Sequence, residues 1–295
     1  MIATTMQCQE VMTMFNQDIT NENYFSSEIA KKYLDVSTFK DFIGTPSKQG
    51  CEKRALERIN GSYREEKTEA LLLGSLVDEM LTGTYESLER FKEENPQLYS
   101  TRGATAGQLK SEYRKAEQMV SRAKQDKNFM TYLYGEHQKI MTGTLFGMDW
   151  RIKMDCYREG HFIADLKTCS KINDKVWCKE YGYNNIFFAY DYILQAAIYQ
   201  EIVFQNTGER LKFVFPCISK QNVTDINLVF IDNDTLHRRI YGDEFNSGIA
   251  GEVERIRLII NGEVEPCECG RCDYCLPRKK IKNFLTLDEL DEVLE

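Results

Sequence analysis

Two aspartates ten residues apart, Asp155 and Asp165, with Leu166 and Lys167 directly after the second, are the residues of this chain best placed to do chemistry. They lie between Trp150 and Thr168, a stretch that reads as a β-hairpin. Alternation puts Trp150, Ile152 and Met154 on one face and Arg151, Lys153 and Asp155 on the other. Arg158-Glu159-Gly160 supplies the turn, where glycine can take a positive φ. Asp165 and Lys167 are two apart on the returning strand, so they share a face. The hairpin therefore brings two carboxylates and an ammonium together. Carboxylate oxygens suit Mg²⁺, with Mn²⁺ as a substitute. A metal held there activates water and offsets charge on a phosphate.

A second set is the run Pro266-Cys267-Glu-Cys269-Gly-Arg-Cys272-Asp-Tyr-Cys275. Its C-x-C-x2-C-x2-C spacing predicts bound metal rather than disulfides. Thiolates select zinc or an iron–sulfur centre over Mg²⁺. The histidines His137, His161 and His237 have no partner at metal-ligand spacing and receive no role.

Several elements must position these groups. Asp35 to Ile43 predicts a helix capped by Ser37 or Thr38, with Phe39, Phe42 and Ile43 on one face. Cys51 to Ile59 predicts another, ended by Asn60-Gly61. Residues 66–81 predict a helix with an apolar stripe of Leu72, Leu73, Leu76, Val77 and Met80, and a small polar strip of Gly74, Ser75 and Asp78. Residues 84–95 and a long charged segment at 104–130 also read as helical. Strands follow at about 139–145, 149–157 and 161–168, then an aromatic connection from Asn173 to Asn185 and a helix from Ile186 to Phe204. Strands at 211–219 and 225–231 precede helical residues 233–261 and a short acidic helix at 285–295. The nearly all-apolar 211–219 strand reads as central. Trp177, Tyr181 and Tyr183 in the aromatic connection read as core, with stacking on bases as the alternative.

Composition sets outer bounds. With 295 residues, 16 Tyr and 16 Phe, the chain can bury a large core. The net charge of −8 argues against DNA binding over the whole surface, though not against a local basic groove. No apolar run is long enough to span a bilayer, and the first residues lack a signal-peptide pattern. The expectation is a cytoplasmic protein without a membrane partner, whose ten cysteines are thiols or metal ligands.

The acid-acid-lysine arrangement resembles the PD-(D/E)XK nuclease superfamily, with Asp155, Asp165 and Lys167 in the motif positions and Met154 where proline is common. The predicted element order, helix, three antiparallel strands, helix, strand, is that of its core. Such a core is an α+β fold, an α/β sandwich with a central mixed sheet flanked by helices. In the RecB-like branch the first helix bears a metal-binding His or acid four residues after a glycine. Here Asp78 follows Gly74, and Glu79 is the runner-up. The resemblance implies Mg²⁺ held by Asp78, Asp155, Asp165 and the carbonyl of Leu166, and Lys167 orienting or deprotonating water or neutralising developing charge. Gln195 and Tyr199, four apart on one helix face, match the branch's Gln-x-x-x-Tyr motif. That match implies a site-organising Gln195 and a DNA-facing Tyr199, while Lys171, Lys175 and Lys179 are candidates for phosphate contacts.

The cysteines fit the same resemblance. Several RecB-like nucleases join one N-terminal cysteine to three C-terminal ones around a [4Fe–4S] cluster, which here implies Cys51 with Cys269, Cys272 and Cys275. The spacing departs from theirs and Cys267 is extra, so a zinc site on Cys267, Cys269, Cys272 and Cys275 is the rival. Cys8, Cys156, Cys169, Cys178 and Cys217 read as ordinary thiols. The organisation expected is an extension at 1–35, a nuclease domain at 36–265 with a helical insertion at about 84–130, a Cys-rich motif at 266–280 and a tail at 281–295.

Phrases such as Leu73-Gly-Ser-Leu-Val-Asp78 and Cys269-Gly-Arg-Cys-Asp-Tyr-Cys275 are similar to the phage and prophage exonuclease VIII-like (RecE-type) family. This resemblance implies a Mg²⁺-dependent exonuclease that resects linear double-stranded DNA from a 5′ end for recombination. It also implies a homo-oligomeric ring around the DNA and a single-strand annealing partner, in a bacterial host's cytoplasm. Another nuclease on the same core, or a DNA-binding module without catalysis, are the other readings. Linear against circular DNA, and digestion with Mg²⁺, discriminate among them.

Overall fold

The computed structural model describes residues 19–245, 247–281, 284, 286 and 287. Ahead of the main sheet run α1 (Ser27–Lys32), α2 (Val36–Ile43), α3 (Glu52–Ile59), α4 (Glu69–Thr82), α5 (Tyr85–Glu94), α6 (Ser111–Lys124) and α7 (Lys127–Thr131). A small ribbon, β1 (Gly44–Thr45) with β2 (Lys48–Gln49), joins α2 to α3. The sheet begins with β3 (Glu136–Leu145), β4 (Met148–Arg158), β5 (Phe162–Ala164) and β6 (Lys167–Cys169). A hairpin of β7 (Lys175–Cys178) and β8 (Gly182–Asn185) leads into α8 (Ile186–Ala189) and α9 (Tyr192–Thr207). Then come β9 (Lys212–Ser219), β10 (Ile226–Phe230), α10 (Asn233–Tyr241) and α11 (Ala250–Ile260).

The sheet order is β10-β9-β5-β4-β3, with β6 also on β9. Pairing is antiparallel except where β5 and β6 run parallel to β9. This is the mixed α+β arrangement expected, and β9, paired on both edges, is central. The third predicted strand is interrupted at Asp165 and Leu166. Its register is unbroken, because Ala164 pairs with Val214 and Lys167 with Cys217. Two residues leave the ladder and the chain rejoins it in step.

Alternation along β9 divides the core. Phe213, Phe215 and Cys217 enter one apolar cluster with residues of α2, α9, α10 and α11, and Ile218 enters another with residues of α4 and α6. The sheet is thus covered on both faces. Trp150, fully buried, packs on Phe39 with ring centroids 5.5 Å apart. Among the described residues no helix is long and apolar enough to cross a membrane.

Some boundaries differ from expectation for identifiable reasons. The cap of α2 is Asp35, which accepts from the Thr38 N–H at 2.8 Å, rather than Ser37 or Thr38. The same carboxylate accepts from buried Arg151 at 2.7 Å, tying α2 to β4. The 104–130 segment is not one helix: a 3₁₀ turn at Gly103–Thr105 precedes α6, and Gln125 and Asp126 separate α6 from α7. The 233–261 segment divides at Gly242 and Gly248, both at positive φ. A Cβ at Gly248 would lie 2.2 Å from the Ile240 carbonyl, so only glycine fits that turn. The aromatic connection is a formed hairpin. Cys8 and nearly all of the 285–295 tail lie outside the described residues.

Candidate active site

The interruption of the returning strand builds the site. Asp165 keeps one ladder bond, from its N–H to the Val214 carbonyl at 3.2 Å. The next N–H, of Leu166, goes to Asp155 Oδ2 at 3.0 Å. The carboxylate at the end of the β4–β5 pairing thus takes the place of a backbone acceptor, which sets the Leu166 peptide against Asp155. Lys167 ion-pairs with Asp165 and donates to Gln195 Oε1 at 2.9 Å. Gln195 Nε2 donates to the other Asp165 oxygen, Oδ1, at 2.6 Å. Three residues from two elements close a small ring of polar contacts.

The α9 helix is aimed at this ring by its N-terminus. Asp191 sits at φ +50°, an uncommon conformation for a non-glycine residue, and caps Leu194 N–H at 3.2 Å. Arg239 of α10 holds the Asp191 carboxylate with two bonds, at 3.1 and 2.6 Å. Gln195 lies one turn from this anchored cap.

The α4 helix supplies Asp78. Gly74, one turn earlier, faces Thr168 of β6, and a Cβ there would lie 3.0 Å from the Thr168 hydroxyl. This close approach lets Asp78 join the electrostatic field of Asp155 and Asp165. Thr82 donates to Asp78 at 3.2 Å. Glu79, the runner-up, instead accepts from Ser87 at 2.8 Å.

Charge crowding is the electrostatic signature. Burial first, then Asp165 and Asp78, hold the Asp155 carboxyl well above its ordinary range. Burial, with Asp165 and Glu79, pushes Asp78 up to about 6 against the Thr82 bond. Burial opposes the charge on Lys167, but Asp165, Tyr192 and Asp155 together outweigh it and hold the lysine above its usual range. Three hard carboxylates that repel one another, beside a peptide, are a donor set that a divalent cation relieves. Asp165 Oδ2, buried, has its ion pair with Lys167 and no further hydrogen bond. The residues therefore fit Mg²⁺ or Mn²⁺.

Residues 35–278 match the family described as a PDDEXK-like domain of unknown function (DUF3799). The chain belongs to that family, and so to the PD-(D/E)XK nuclease superfamily. A crystal structure of a Eubacterium rectale protein described as "Putative exonuclease" is similar to it, with 39% identity and a TM-score of 0.85. The match covers 93% of this chain and 98% of the other. A comparison with curated proteins finds no match.

Not every residue that the PD-(D/E)XK motifs brought forward faces the site. Tyr199 is buried, and its hydroxyl donates to the Lys153 carbonyl at 3.2 Å. It supports β4 from inside the core, which corrects the expectation that it faces DNA. Lys171 is exposed on the run between β6 and the hairpin, and Lys175 is exposed at the first position of β7. Trp177, Tyr181 and Tyr183 are 59%, 59% and 68% exposed, so the core reading of this cluster is wrong. Among the described residues no layer covers that face.

Three neighbours of the PD-(D/E)XK site had no signal in local spacing. His137 Nδ1 lies 3.0 Å from the Asp155 carbonyl, through the pairing of β3 with β4. Tyr192 lies under both Lys167 and Lys40, whose Nζ atoms are 4.5 and 5.5 Å from the ring centroid. Lys40 donates to the Tyr190 carbonyl at 2.9 Å and, among the described residues, has no ion pair. Burial, opposed by Asp191 and reinforced by Lys167, draws its pKa down to about 7.

The thiols form a separate centre. The Sγ atoms of Cys51, Cys269, Cys272 and Cys275 all lie within 4.8 Å of one another. Cys51 and Cys275 approach to 3.6 Å, and Cys269 and Cys275 to 4.0 Å. Burial pushes Cys275 up to about 12. Burial also opposes ionisation of Cys269, but hydrogen bonds from Arg271 and Cys272 outweigh it and bring the thiol down to about 7. The donor set fits a soft, thiophilic metal. Cys267 stands apart: it is exposed, its N–H donates to Glu52 at 2.8 Å, and Arg255 reaches its sulfur at 3.6 Å. Cys51 completes the quartet instead, so the four-cysteine set built on Cys267 is corrected. Cys156, Cys178 and Cys217 are buried free thiols.

Proposed function

We propose that this protein is a metal-dependent DNA exonuclease that hydrolyses phosphodiester bonds at the ends of linear double-stranded DNA. The observation that carries the reading is Lys167 held between the Asp165 carboxylate and the Gln195 amide, beside the crowded Asp78 and Asp155. The Eubacterium rectale relative's description as an exonuclease supports the choice of ends over internal sites.

Asp78, Asp155, Asp165 and the Leu166 peptide would hold Mg²⁺ or Mn²⁺, which supplies acidification of a water and compensation of phosphate charge. Lys167, ion-paired with Asp165 and held above its usual range in the metal-free site, would act as an ammonium that donates to a phosphate oxygen and balances the charge that grows as water attacks phosphorus. This favours the orienting and neutralising roles over the general-base role. Gln195 fixes the direction of both Lys167 and Asp165. The P–O bond breaks to leave one phosphate monoester and one hydroxyl. Resection from a 5′ end, a ring of identical subunits, an annealing partner, a cytoplasmic setting and a phage or prophage origin rest on the resemblance to exonuclease VIII-like proteins. The expected domain boundaries have the same standing.

For the thiol centre we infer one tetrahedral zinc ion. Zn–S bonds of about 2.3 Å place tetrahedral sulfurs about 3.8 Å apart, and the four sulfurs here lie within 4.8 Å of one another, with approaches of 3.6 and 4.0 Å among them. An iron–sulfur cubane puts a cluster body between its cysteines and holds them wider. Colourless protein with zinc supports this assignment; brown protein with iron overturns it.

Digestion of end-labelled linear duplex with Mg²⁺, with EDTA, and with Lys167→Ala tests the main reading. Degradation with Mg²⁺ alone, lost in the variant, is expected. Equal activity of the variant, or cutting of closed circular DNA as fast as linear DNA, overturns it.

A further inference from the structure

The hairpin of β7 and β8 interrupts the path between the two halves of the active site. Lys167 stands on β6 before it, and Gln195 on α9 after it. Its pairing sets Trp177 opposite Tyr183, with ring centroids 5.3 Å apart in an edge-to-face contact. Cys178 turns inward and is buried, while Lys175, Trp177, Lys179, Tyr181 and Tyr183 turn outward. A two-stranded hairpin is marginal by itself. Here α8 packs against both of its strands.

The same helix links the hairpin to the chemistry. Phe188 meets Tyr181 at 5.1 Å on one side of α8. Phe187 meets Tyr192 at 6.0 Å and Phe215 at 5.5 Å on the other. Those two rings lie beneath Lys167 Nζ, at 4.5 and 5.6 Å. Aromatic contacts thus flank α8 on both sides, one reaching the exposed face at Tyr181 and the others the rings beneath Lys167, with the helix itself as the link between them. Lys171, Lys175 and Lys179 outnumber Asp174 and Glu180 along this segment, so it favours an anion in a protein of net charge −8.

We propose that the exposed face of Trp177, Tyr181 and Tyr183 is a stacking platform for unpaired bases of the DNA strand that enters or leaves the active site. Every base has a π-face, so such a platform grips single-stranded DNA without reading its sequence. The neighbouring lysines meet the backbone phosphates. The inference rests on the nuclease reading for its ligand class. Its test does not need cleavage.

The chain has two tryptophans, and Trp150 is fully buried, so a change in fluorescence on binding reports Trp177. Intact protein in EDTA is titrated with a twelve-nucleotide oligothymidylate and with an abasic oligomer of equal phosphate number. Binding is followed separately by anisotropy. Quenching of about twofold by oligothymidylate, none by the abasic strand, and loss of the signal in Trp177→Phe are expected. The double variant Trp177→Ala/Tyr183→Ala should bind oligothymidylate about tenfold more weakly and still hydrolyse bis-p-nitrophenyl phosphate at the parent rate. Equal quenching by the abasic strand would mean phosphate contacts alone and overturn the platform. Binding without quenching would place the hairpin off the strand's path. Loss of the small-diester activity would show that the aromatics merely support the site. Failure of both oligomers to bind, with no Mg²⁺-dependent degradation of duplex, would remove the nuclease reading itself and the platform with it.

Discussion

The two clusters of metal-ready side chains in this protein are built in opposite ways. Around Asp155 and Asp165 the carboxylates are braced by Lys167, Gln195 and the Leu166 N–H. Among the described residues only the four thiols form a set of three or more such groups with all ligand atoms within 4.8 Å, so the acids are the looser group. A catalytic centre has to leave a coordination position for substrate, whereas a structural centre closes on its ion. The acidic cluster joins elements close in sequence, apart from Asp78 and Gln195. The thiol cluster joins Cys51 to Cys275 across 224 positions. On the function proposed above, one set is arranged for reaction and the other ties distant parts of the chain together.

The sharpest break of this contrast is Asp155→Asn. DNA degradation should fall by about 10³-fold or more, measured on end-labelled duplex. The metal-free variant should melt no lower than the parent, because a repelled carboxylate is gone. A large loss of melting temperature would show that the acids are structural after all. The converse is Cys272→Ser. It should remove bound zinc and lower the melting temperature by about 10 °C or more. Residual activity per folded molecule at low temperature should stay within about threefold of the parent.

Lys40→Ala sharpens the comparison at the rim of the acidic cluster. Lys40, drawn down to about 7 and with no ion pair among the described residues, would hold its proton more firmly beside an anion and so suits a phosphate. Its loss should weaken DNA binding about tenfold and reduce the salt slope of log K by about one, with the thiol centre unaffected.

The smallest effect concerns pH. The raised pKa of Asp78 means the folded, metal-free protein binds its proton more tightly than the unfolded chain. That contribution to stability is present in full below the unfolded value, near 4, and is lost as pH rises through about 6. Melting curves without metal should therefore show a fall across about pH 4–6 that is shallower in Asp78→Asn. Added Mg²⁺ should stabilise the parent above pH 6 and little below it. A Mg²⁺ increment independent of pH would place the ion elsewhere.

What could be seen in the sequence followed the reach of local spacing. Asp155, Asp165 and Lys167 could be proposed because a hairpin puts them within a few positions, and Asp78 because it stands four residues after Gly74, as in the RecB-like pattern that the chain resembles. Lys40 was not, since it reaches Tyr190 across 150 positions and its own helix shows only an apolar face. His137 was invisible for the same reason, as strand pairing rather than any motif places it by Asp155. Trp177 and Tyr183 illustrate another limit. Their aromatic character suggested a core, but whether such a cluster is covered depends on a layer whose presence no local pattern records. Tyr199 failed in the opposite sense. Its spacing from Gln195 is that of one helix face, yet the face turns from the reaction centre to the underside of β4 within one turn.

Because Cys51 and Cys275 belong to opposite ends of the described chain, the order of synthesis matters. A nascent chain exposes one thiol early and must wait until 224 further residues have been made before the last of its three companions emerges. The sheet and its acids are complete well before that moment. If the thiols hold the zinc proposed above, this latch closes only after translation has passed the whole sheet, and the fold is tied together last.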